Sequence, residues 1–362
     1  MSTPTFQAIV LAAGRSSRFK TTATKLSFPL CGQAMITYPI QALAEFSMPI
    51  TVVVGYKKEV VQALLDQKNI PNITYREQVQ QKGTGHAVLI TQDTWHADHI
   101  LIINGDMPLI TNSILKNLMD KHIQSNATIS FVSAESTDTS VTGYGRVVKH
   151  NGSLAIIEAR DFKATVHEHP YVNAGIYCVK RSFLEEVLPK LETHANSGEI
   201  YITDLVKAAD KADCIIETTV APFDLVRGVN TLQELAVAEN IKQQEIITYF
   251  MTNGTRLVAP HTLTIDATVR IGKDTTIAPG VQLRNGTTIG DNCSIDSYCI
   301  LDNAHLQDHA RVKAHSVLTN ITLQAGTQVG PFAYNTRGYA QQAGTLLCLT
   351  FLSTRLIKVA TR

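Results

Sequence analysis

The chain has 362 residues, 44% of them hydrophobic, which is more than one compact core usually holds, so we expect two domains. Its 32 basic and 31 acidic residues leave a net charge of +1. This balance gives no sign of the excess positive charge that is typical of proteins that bind nucleic acid or anionic membranes. Six scattered cysteines form no C-x-x-C pair, which argues against zinc and redox motifs and favours a reducing cytoplasm. No apolar stretch has the length of a membrane span or the form of a signal peptide.

The first predicted element is a buried parallel strand, followed by small residues and then by cations. The residues of interest are Leu11, Ala12, Ala13, Gly14, Arg15, Arg18 and Lys25. Small side chains let a ligand approach the backbone, and the peptide N–H groups and cations of the loop suit a nucleotide phosphate. An ordinary strand-to-helix turn with a solvated basic loop is the alternative. Neither the Rossmann G-x-G-x-x-G fingerprint nor the Walker A motif is present.

Apolar runs alternate with helical patterns through residues 5–228. The predicted strands are Ala8–Leu11, Ile50–Val54, Ile100–Ile103, Ala127–Val132 and Ile176–Val179. The predicted helices include Lys57–Gln67 and Ser113–Gln124. This alternation predicts a Rossmann-like α/β fold with a mostly parallel sheet covered on both faces, and ligands bind such sheets at the carboxyl ends of the strands.

Two polar motifs are expected at that edge of the sheet. Asn104, Gly105 and Asp106 follow the third predicted strand, where Asp106 is placed to hold Mg²⁺, although it could instead cap the helix near Ser113. We place Asn230 at the end of the last strand of the domain, as a second metal ligand or as the N-cap of the next helix, and the residues alone favour the cap.

A second glycine-rich turn, residues 81–87, enters a helix and could hold a base or a sugar through its backbone groups. Gln78 precedes it and could recognise an amide-like edge, whereas we interpret His86, at the start of the helix, as structural. Gly145, Glu158 and Asn173 lie in polar or flexible segments beside apolar strands, and each of these signals is weak by itself.

The spacing of the apolar residues changes after a long helix predicted over Thr231–Phe250. Its predicted apolar face comprises Leu232, Leu235, Ala236, Ile246, Ile247 and Phe250, and Glu239 and Gln243 interrupt it, so we expect its middle to be only partly covered. Aliphatic residues then recur every six positions from Ile271 to Leu301, and the period continues after single-residue slips before Leu306 and Leu323. A six-residue period predicts a triangular coil of parallel strands, a β-helix, with each aliphatic side chain pointing to the axis.

The segment 341–362 loses this period and contains an apolar run followed by three cations. A cap on the open end of the β-helix is the favoured interpretation, since an open coil exposes unpaired backbone groups. A membrane-surface helix is the weaker alternative. We therefore expect four parts: a nucleotide-binding domain over 1–230, a linker helix over 231–253, a β-helix over 254–340 and an atypical tail.

Taken in order, the motifs resemble those of the bacterial N-acetylglucosamine-1-phosphate uridylyltransferases, whose typical members also carry an acetyltransferase on a left-handed β-helix. The resemblance covers residues 6–334 and rests on LAAGRSSRF with Lys25, QKGTGHAV, NGDMPLI, GYGRVV, IIEARD, NAGIY, GEIYITDLV, GVN and the hexapeptide repeat. It implies a transferase that makes UDP-N-acetylglucosamine and pyrophosphate from UTP and N-acetylglucosamine 1-phosphate, with Mg²⁺ as cofactor, in a cytoplasmic homotrimer joined through the β-helix.

The resemblance also implies roles for individual residues. Leu11 to Gly14 would approach the nucleotide, and Arg15, Arg18 and Lys25 would surround its phosphates. Gln78, Gly83 and Thr84 would hold the uracil, and Asp106 and Asn230 would bind Mg²⁺, which overrides the cap interpretation of Asn230. The residues expected to bind the N-acetylglucosamine moiety are Gly145, Glu158, Asn173 and Thr203.

Two departures keep alternatives open. Ser16-Ser17 and Thr24 replace the Gly-Thr pair and the Pro that the family usually has in the first loop. The loop of this chain therefore resembles those of cytidylyltransferases and molybdenum-cofactor nucleotidyltransferases. Another nucleotide or another sugar 1-phosphate is accordingly an alternative. Tyr334 and Thr336 stand where the family has an Arg-x-Arg pattern, with Arg337 beside them, and the later acetyltransferase coils have no counterpart, so we expect no acetyl transfer. A non-catalytic sugar-nucleotide-binding or assembly subunit is the alternative from outside the enzymes.

Overall fold

The computed structural model describes residues 4–136, 143–150, 153–159, 169–195 and 197–335. These residues form two compact units, one of described residues between 4 and 30 and between 34 and 238, the other of residues 31–33 and 239–335. The predicted tail, residues 341–362, lies outside the described residues. No helix in the described part of the chain combines the length and the apolar composition of a membrane span.

The first unit is an α/β structure around one large sheet. The strands of this sheet are β1 (Phe6–Ala12), β4 (Ile50–Val54), β5 (Ile73–Glu77), β6 (His99–Asn104), β7 (Ile129–Glu135), β8 (Arg146–His150), β9 (Ser153–Ile157), β10 (Tyr171–Lys180) and β11 (Ile216–Val220), and a separate small sheet pairs β2 (Pro29–Leu30) with β3 (Gln33–Ala34). The helices of this unit are α1 (Thr37–Ala44), α2 (Lys58–Asp66), α3 (Thr84–Leu89), α4 (Asn112–Gln124), α5 (Arg181–Val187), α6 (Asp204–Lys211) and α7 (Phe223–Val226), and α8 (Leu232–Thr252) follows.

The strand order of the large sheet is β11-β7-β10-β6-β1-β4-β5. Strands β6, β1, β4 and β5 are parallel, and β11 is parallel to β7. Strand β10 runs antiparallel to both β6 and β7, and the β8–β9 hairpin pairs with β10 through β8. The predicted α/β fold is therefore confirmed, and the structure adds an antiparallel part around β10.

Both faces of this sheet are buried, as predicted. Along β1, Ala8 and Val10 contribute to one hydrophobic cluster, whereas Ile9 and Ala13 contribute to the other. Such alternation between two apolar layers is required of a strand with helices on both sides. The helices α1, α2 and α4 pack on the first face, and α3, α5 and α6 pack on the second.

The second unit contains short parallel strands that stack in coils. They are β12 (Arg256–Leu257), β13 (Thr264–Ile265), β14 (Arg270–Ile271), β15 (Thr276–Ile277), β16 (Gln282–Arg284), β17 (Thr288–Ile289), β18 (Ser294–Ile295), β19 (Ile300–Leu306), β20 (Arg311–Val312), β21 (Val317–Leu323), β22 (Gln328–Val329) and β23 (Tyr334–Asn335). The aliphatic residues Ile277, Ile295, Val312 and Val329 are aligned one above another and buried. The predicted β-helix is confirmed.

The single-residue slip has a structural cause. Ile277 pairs with Ile295 eighteen residues later, whereas Ile295 pairs with Val312 after seventeen. The coil that contains β19 is one residue shorter, so β19 runs without a break past Asn303, whose φ is +48°, and pairs with both β16 and β17. The next coil repeats this arrangement in β21, which pairs with β19 along its whole length.

The predicted apolar face of the long helix is right for four of its six residues. Leu235, Ile246, Ile247 and Phe250 are buried, but Leu232 and Ala236 are exposed. The polar residue Gln243 is not left uncovered, because its side chain donates to Ile265 O at 2.6 Å and accepts from Ile265 N at 3.2 Å.

Candidate active site

A cavity of about 290 Å³ lies at the carboxyl ends of β1 and β6 in the first unit. Ligands of open α/β sheets bind at this edge. Many of the residues selected from the sequence line it, namely Leu11, Arg18, Thr84, Asn104, Asp106, Gly145, Glu158, Asn173, Thr203 and Asn230. The fold thus brings together side chains that are separated by more than two hundred positions in the sequence.

Two cationic side chains and two oxygen acceptors meet at the cavity. The Lys25 ammonium forms a short ion pair with Asp106 Oδ2 and donates to Asn230 Oδ1 at 2.7 Å. Arg18 Nη2 donates to the same Asn230 oxygen at 2.8 Å. The Lys25 and Asp106 side chains are only 13% and 17% exposed, so water screens this pair incompletely.

These ligand atoms fit a magnesium ion. Asp106 Oδ2 and Asn230 Oδ1 converge on a single cationic group, and carboxylate and amide oxygens are hard ligands of the kind that Mg²⁺ takes. Gly228 leaves room beside them, because a Cβ there would lie 3.3 Å from Asp106 Oδ1. Within the described residues, no group of three or more His, Cys, Asp or Glu could hold a metal ion, so phosphate oxygens or water would complete the coordination.

The structure corrects the expected position of Asn230. No strand ends there: the short helix α7 and an extended segment separate it from β11. Asn230 is not the N-cap of α8 either, since Thr231 Oγ1 accepts from Glu234 N at 3.1 Å. Asn230 N instead donates to Glu234 Oε2 at 2.5 Å. Asp106, likewise, pairs with Lys25 rather than capping α4.

Sequence reasoning missed Tyr144, which lines the cavity and holds the loop before Asn230. Its hydroxyl accepts from Gly228 N at 2.7 Å and donates to Gly228 O at 3.3 Å. Burial, and after it the charge of Asp106, raise the pKa of this phenol, so it remains a neutral donor at ordinary pH. The GYGR motif was the available signal, but a single tyrosine in a turn does not show which loop it holds.

Strand β10 contributes four residues to the cavity lining, Asn173, Ala174, Gly175 and Tyr177. A β-bulge between Asn173 and Tyr177 turns this strand, and Asn173 Nδ2 donates to the buried Tyr177 hydroxyl at 2.6 Å. Gly175, within the bulge, has φ +75°, and a Cβ there would lie 2.4 Å from Asn104 Nδ2. Only glycine therefore allows the bulge to approach the end of β6 so closely.

The second glycine-rich turn is rigidly connected. Gln78 Nε2 donates to Gly83 O and lies 3.0 Å from His86 Nδ1, so both amide hydrogens have partners and only Oε1 is left to accept a bond from a ligand. Burial, with a smaller effect from Lys82, lowers the pKa of His86. The neutral ring accepts from Gln78, which agrees with the structural interpretation of this histidine.

One segment, residues 200–203, connects this turn to Glu158, which also lines the cavity; we call it the bridging segment. Gly85 N donates to Ile200 O at 2.8 Å, and Ile202 N donates to Thr84 Oγ1 at 3.0 Å. At its end, Thr203 Oγ1 donates to Glu158 Oε1 at 2.7 Å. The sequence motif GEIYITDLV contained these residues, but only Thr203 was selected from it.

The small residues after β1 have a packing role in addition to any ligand role. Ala12 and Ala13 are buried in the two hydrophobic clusters, and Gly105 N donates to Leu11 O at 2.9 Å. By contrast, Gly14 and Arg15 are exposed, and a Cβ on Gly14 would meet no atom within 4 Å.

Comparison with known families agrees with both units. Residues 8–198 match the MobA-like NTP transferase domain, and residues 268–303 match the bacterial transferase hexapeptide of six repeats. The first match covers more than half of the chain and most of the sheet that forms the cavity.

Three relatives, each named bifunctional protein GlmU, extend the match to nearly the whole chain. The Cyanothece protein is 33% identical over 98% of this chain and 77% of its own length. The Geotalea uraniireducens protein is 32% identical over 90% of this chain and 72% of its own length. The Desulfotalea psychrophila protein is 33% identical over 89% of this chain and 95% of its own length. With a MobA-like transferase domain joined to a hexapeptide β-helix, the chain belongs to the GlmU family and carries its sugar nucleotidyltransferase domain.

Proposed function

We propose that this protein transfers a uridylyl group from UTP to N-acetylglucosamine 1-phosphate, giving UDP-N-acetylglucosamine and pyrophosphate. The observation that carries the proposal is the convergence of Arg18, Lys25, Asp106 and Asn230 at a cavity that Glu158 and Asn173 also line. The cations suit the triphosphate, and the polar lining suits the hydroxyl and amide groups of the sugar.

The chemistry needs no protein nucleophile. An oxygen of the sugar phosphate attacks the α-phosphorus of UTP in line, a new P–O bond forms, and the bond between the α-phosphorus and the bridging oxygen breaks to release pyrophosphate. Arg18 and Lys25 stabilise the negative charge that develops on the phosphate oxygens. Orientation of the two substrates supplies much of the remaining rate enhancement.

Asp106 and Asn230 are the proposed Mg²⁺ ligands, since their oxygens converge on one cation and match the preferences of this ion. When bound, Mg²⁺ neutralises phosphate charge and polarises the α-phosphate. Gln78, Gly83 and Thr84 are the proposed uracil-binding residues, and Gly145, Glu158, Asn173 and Thr203 the proposed sugar-binding residues. The backbone of Leu11–Gly14, with Arg15 and the Asn104–Gly105 turn, is proposed to border the nucleotide.

Pyrophosphate release from a panel of nucleoside triphosphates and sugar 1-phosphates tests this function. We expect the highest kcat/KM for UTP with N-acetylglucosamine 1-phosphate, and no release without a divalent cation. A preference for another pair would support the alternative nucleotidyltransferase, which the match of residues 8–198 to a MobA-like NTP transferase domain leaves open. Absence of release with every pair, together with tight binding of a sugar nucleotide, would support the non-catalytic subunit.

We further propose a cytoplasmic homotrimer joined through residues 254–335. A prism of three narrow sheets has little core of its own, and this unit exposes the aromatic side chains of Tyr298, Phe332 and Tyr334. Five described cysteines are free thiols, in keeping with a reducing compartment. Light scattering of the whole chain should give three times its 39.6 kDa mass, whereas the mass of one chain would rule out the trimer.

A further inference from the structure

We propose that the Lys25 ammonium occupies the proposed metal-binding oxygens when no metal ion is bound, and that Mg²⁺ displaces it. Entry of the metal ion would then free Lys25 and Arg18 to contact the phosphates of the nucleotide. The inference rests on the proposed metal site, but it does not depend on which nucleotide or sugar reacts. It concerns what these two side chains do before the substrate arrives.

The geometry carries the first step. The Lys25 ammonium contacts both oxygens that the metal would take, Asp106 Oδ2 and Asn230 Oδ1. Arg18 adds a second cationic donor to the amide oxygen at 2.8 Å. Asn230 Oδ1 accepts from both cations, so both of its lone pairs are occupied, and a metal ion can bind this oxygen only when at least one of these contacts breaks. At Asp106 Oδ2 the metal ion and the ammonium would compete for the same side of the carboxylate, and their positive charges repel each other.

The charges carry the second step. Arg18 and Lys25 contribute two positive charges to this cluster, and Asp106 with Glu234, which accepts from Asn230 N, contributes two negative charges. The group is therefore balanced without a metal ion. Adding Mg²⁺ leaves an excess of two positive charges in a poorly screened region, and the excess is relieved when Lys25 and Arg18 move away or a polyphosphate arrives.

The anchoring of Lys25 makes such a movement local. Its backbone N donates to Ser16 Oγ at 3.0 Å, and the adjacent Thr24 Oγ1 accepts from Leu26 N, so the main chain stays fixed. The side chain can therefore exchange a carboxylate for a phosphate by rotation about its own bonds. Lys25 would thus occupy the metal-binding oxygens before the metal ion binds, and would contact a phosphate afterwards.

Amine labelling of the wild-type protein, without nucleotide, tests the displacement directly. The protein is treated with an acetylating ester with and without Mg²⁺ at equal ionic strength, and each lysine is quantified by peptide mass spectrometry. Lys116, an exposed lysine paired with Asp120 on α4, is the internal reference. We expect Mg²⁺ to raise the labelling of Lys25 about fivefold or more relative to Lys116. Unchanged or reduced labelling of Lys25 would overturn the proposal.

Binding of Mn²⁺, followed by the electron paramagnetic resonance signal of the free ion, gives an independent test. Removing the internal competitor in Lys25→Met should tighten nucleotide-free Mn²⁺ binding about fivefold or more, whereas Lys25→Arg should remain close to the wild type. Equal or weaker binding in a folded Lys25→Met protein would contradict displacement. Neither readout involves turnover, so failure of the uridylyltransferase assay would leave this test intact.

Discussion

The Tyr144 hydroxyl binds Gly228 on both sides, accepting from its N–H at 2.7 Å and donating to its carbonyl at 3.3 Å. Gly228 in turn faces Asp106 and lies two residues before Asn230. Tyr144 is thus a positioning residue for the proposed metal ligands, although it makes no bond to either of them in the described contacts.

Tyr144→Phe should therefore lower kcat/KM about tenfold, because the Gly228 peptide loses both partners and Asn230 is less well placed. The distinguishing measurement is the Mg²⁺ concentration for half-maximal rate, which should rise in this variant. Tyr171→Phe, at a partly exposed tyrosine of β10, is the matched control and should behave like the wild type. An unchanged magnesium dependence in Tyr144→Phe would contradict the positioning role.

Replacement of the proposed metal ligand should have a larger effect. Asp106→Ala removes a carboxylate from the charge cluster and should reduce the rate of pyrophosphate release at least about a hundredfold. Asp120→Ala, at a surface aspartate of α4, is the control for loss of a carboxylate. Magnesium-dependent turnover at the wild-type rate in Asp106→Ala would remove this residue from the mechanism.

Acid should destabilise the first unit through a buried histidine. His122 is fully buried between His99 and Ser130, and burial, followed by the charges of His99 and Lys180, lowers its pKa to about 3. The unfolded chain, with a histidine pKa near 6.5, binds more protons, so stability is lost as the pH falls from 6.5 toward 3.

At pH 5 this single group should cost about 2 kcal/mol in the free energy of unfolding, relative to pH 7. Urea denaturation at the two pH values measures the difference. His122→Gln should show a smaller pH dependence, whereas His305→Gln, at an exposed histidine of β19, should retain that of the wild type. The same pH dependence in all three proteins would show that another group is responsible.

Two glycines of the β-helix provide a matched pair. Gly280 and Gly286 both have φ +72°, but a Cβ on Gly280 would lie 2.4 Å from the Tyr298 ring, whereas Gly286 has no neighbour within 4 Å. Gly286→Ala should cost about 1 kcal/mol from backbone strain alone, and Gly280→Ala about 1–3 kcal/mol more from overpacking.

The Tyr298 ring is stacked on His315, which is stacked on Phe332, so it cannot tilt away without disturbing both contacts. Thermal unfolding of the two alanine variants checks the difference. Adding Tyr298→Ala to Gly280→Ala should recover most of the extra loss. Equal melting temperatures for the two single variants would show that the ring gives way freely.

The sequence predicted best the elements whose pattern depends on burial. Ile50–Val54 was predicted with the observed ends, because every residue of β4 is buried and the apolar run is continuous. Strand β5 was missed because it lies at the edge of the sheet and contains polar residues. The antiparallel direction of β10 was not predictable either, since a buried strand has the same composition in either direction.

In the candidate site, too, some features could be predicted from the sequence and others could not. The motifs indicated which segments carry polar groups, because strand ends and glycine turns are local features of the sequence. The pairing of Lys25 with Asp106 joins residues 81 positions apart, and no local pattern specifies it. The position of Asn230 was wrong because a helix of only four residues, α7, interrupts the segment that was interpreted as the end of a strand.

The bridging segment gives the cavity a mechanical property. Ile200 and Ile202 are bonded to the Gly83–Gly85 turn, while Thr203, the next residue, holds the Glu158 carboxylate. These four consecutive residues are thus hydrogen-bonded to the glycine-rich turn at one end and to Glu158 at the other. We therefore expect a displacement of the glycine-rich turn to act on the bond between Thr203 and Glu158 as well, and a ligand that fixes Glu158 to stiffen the turn.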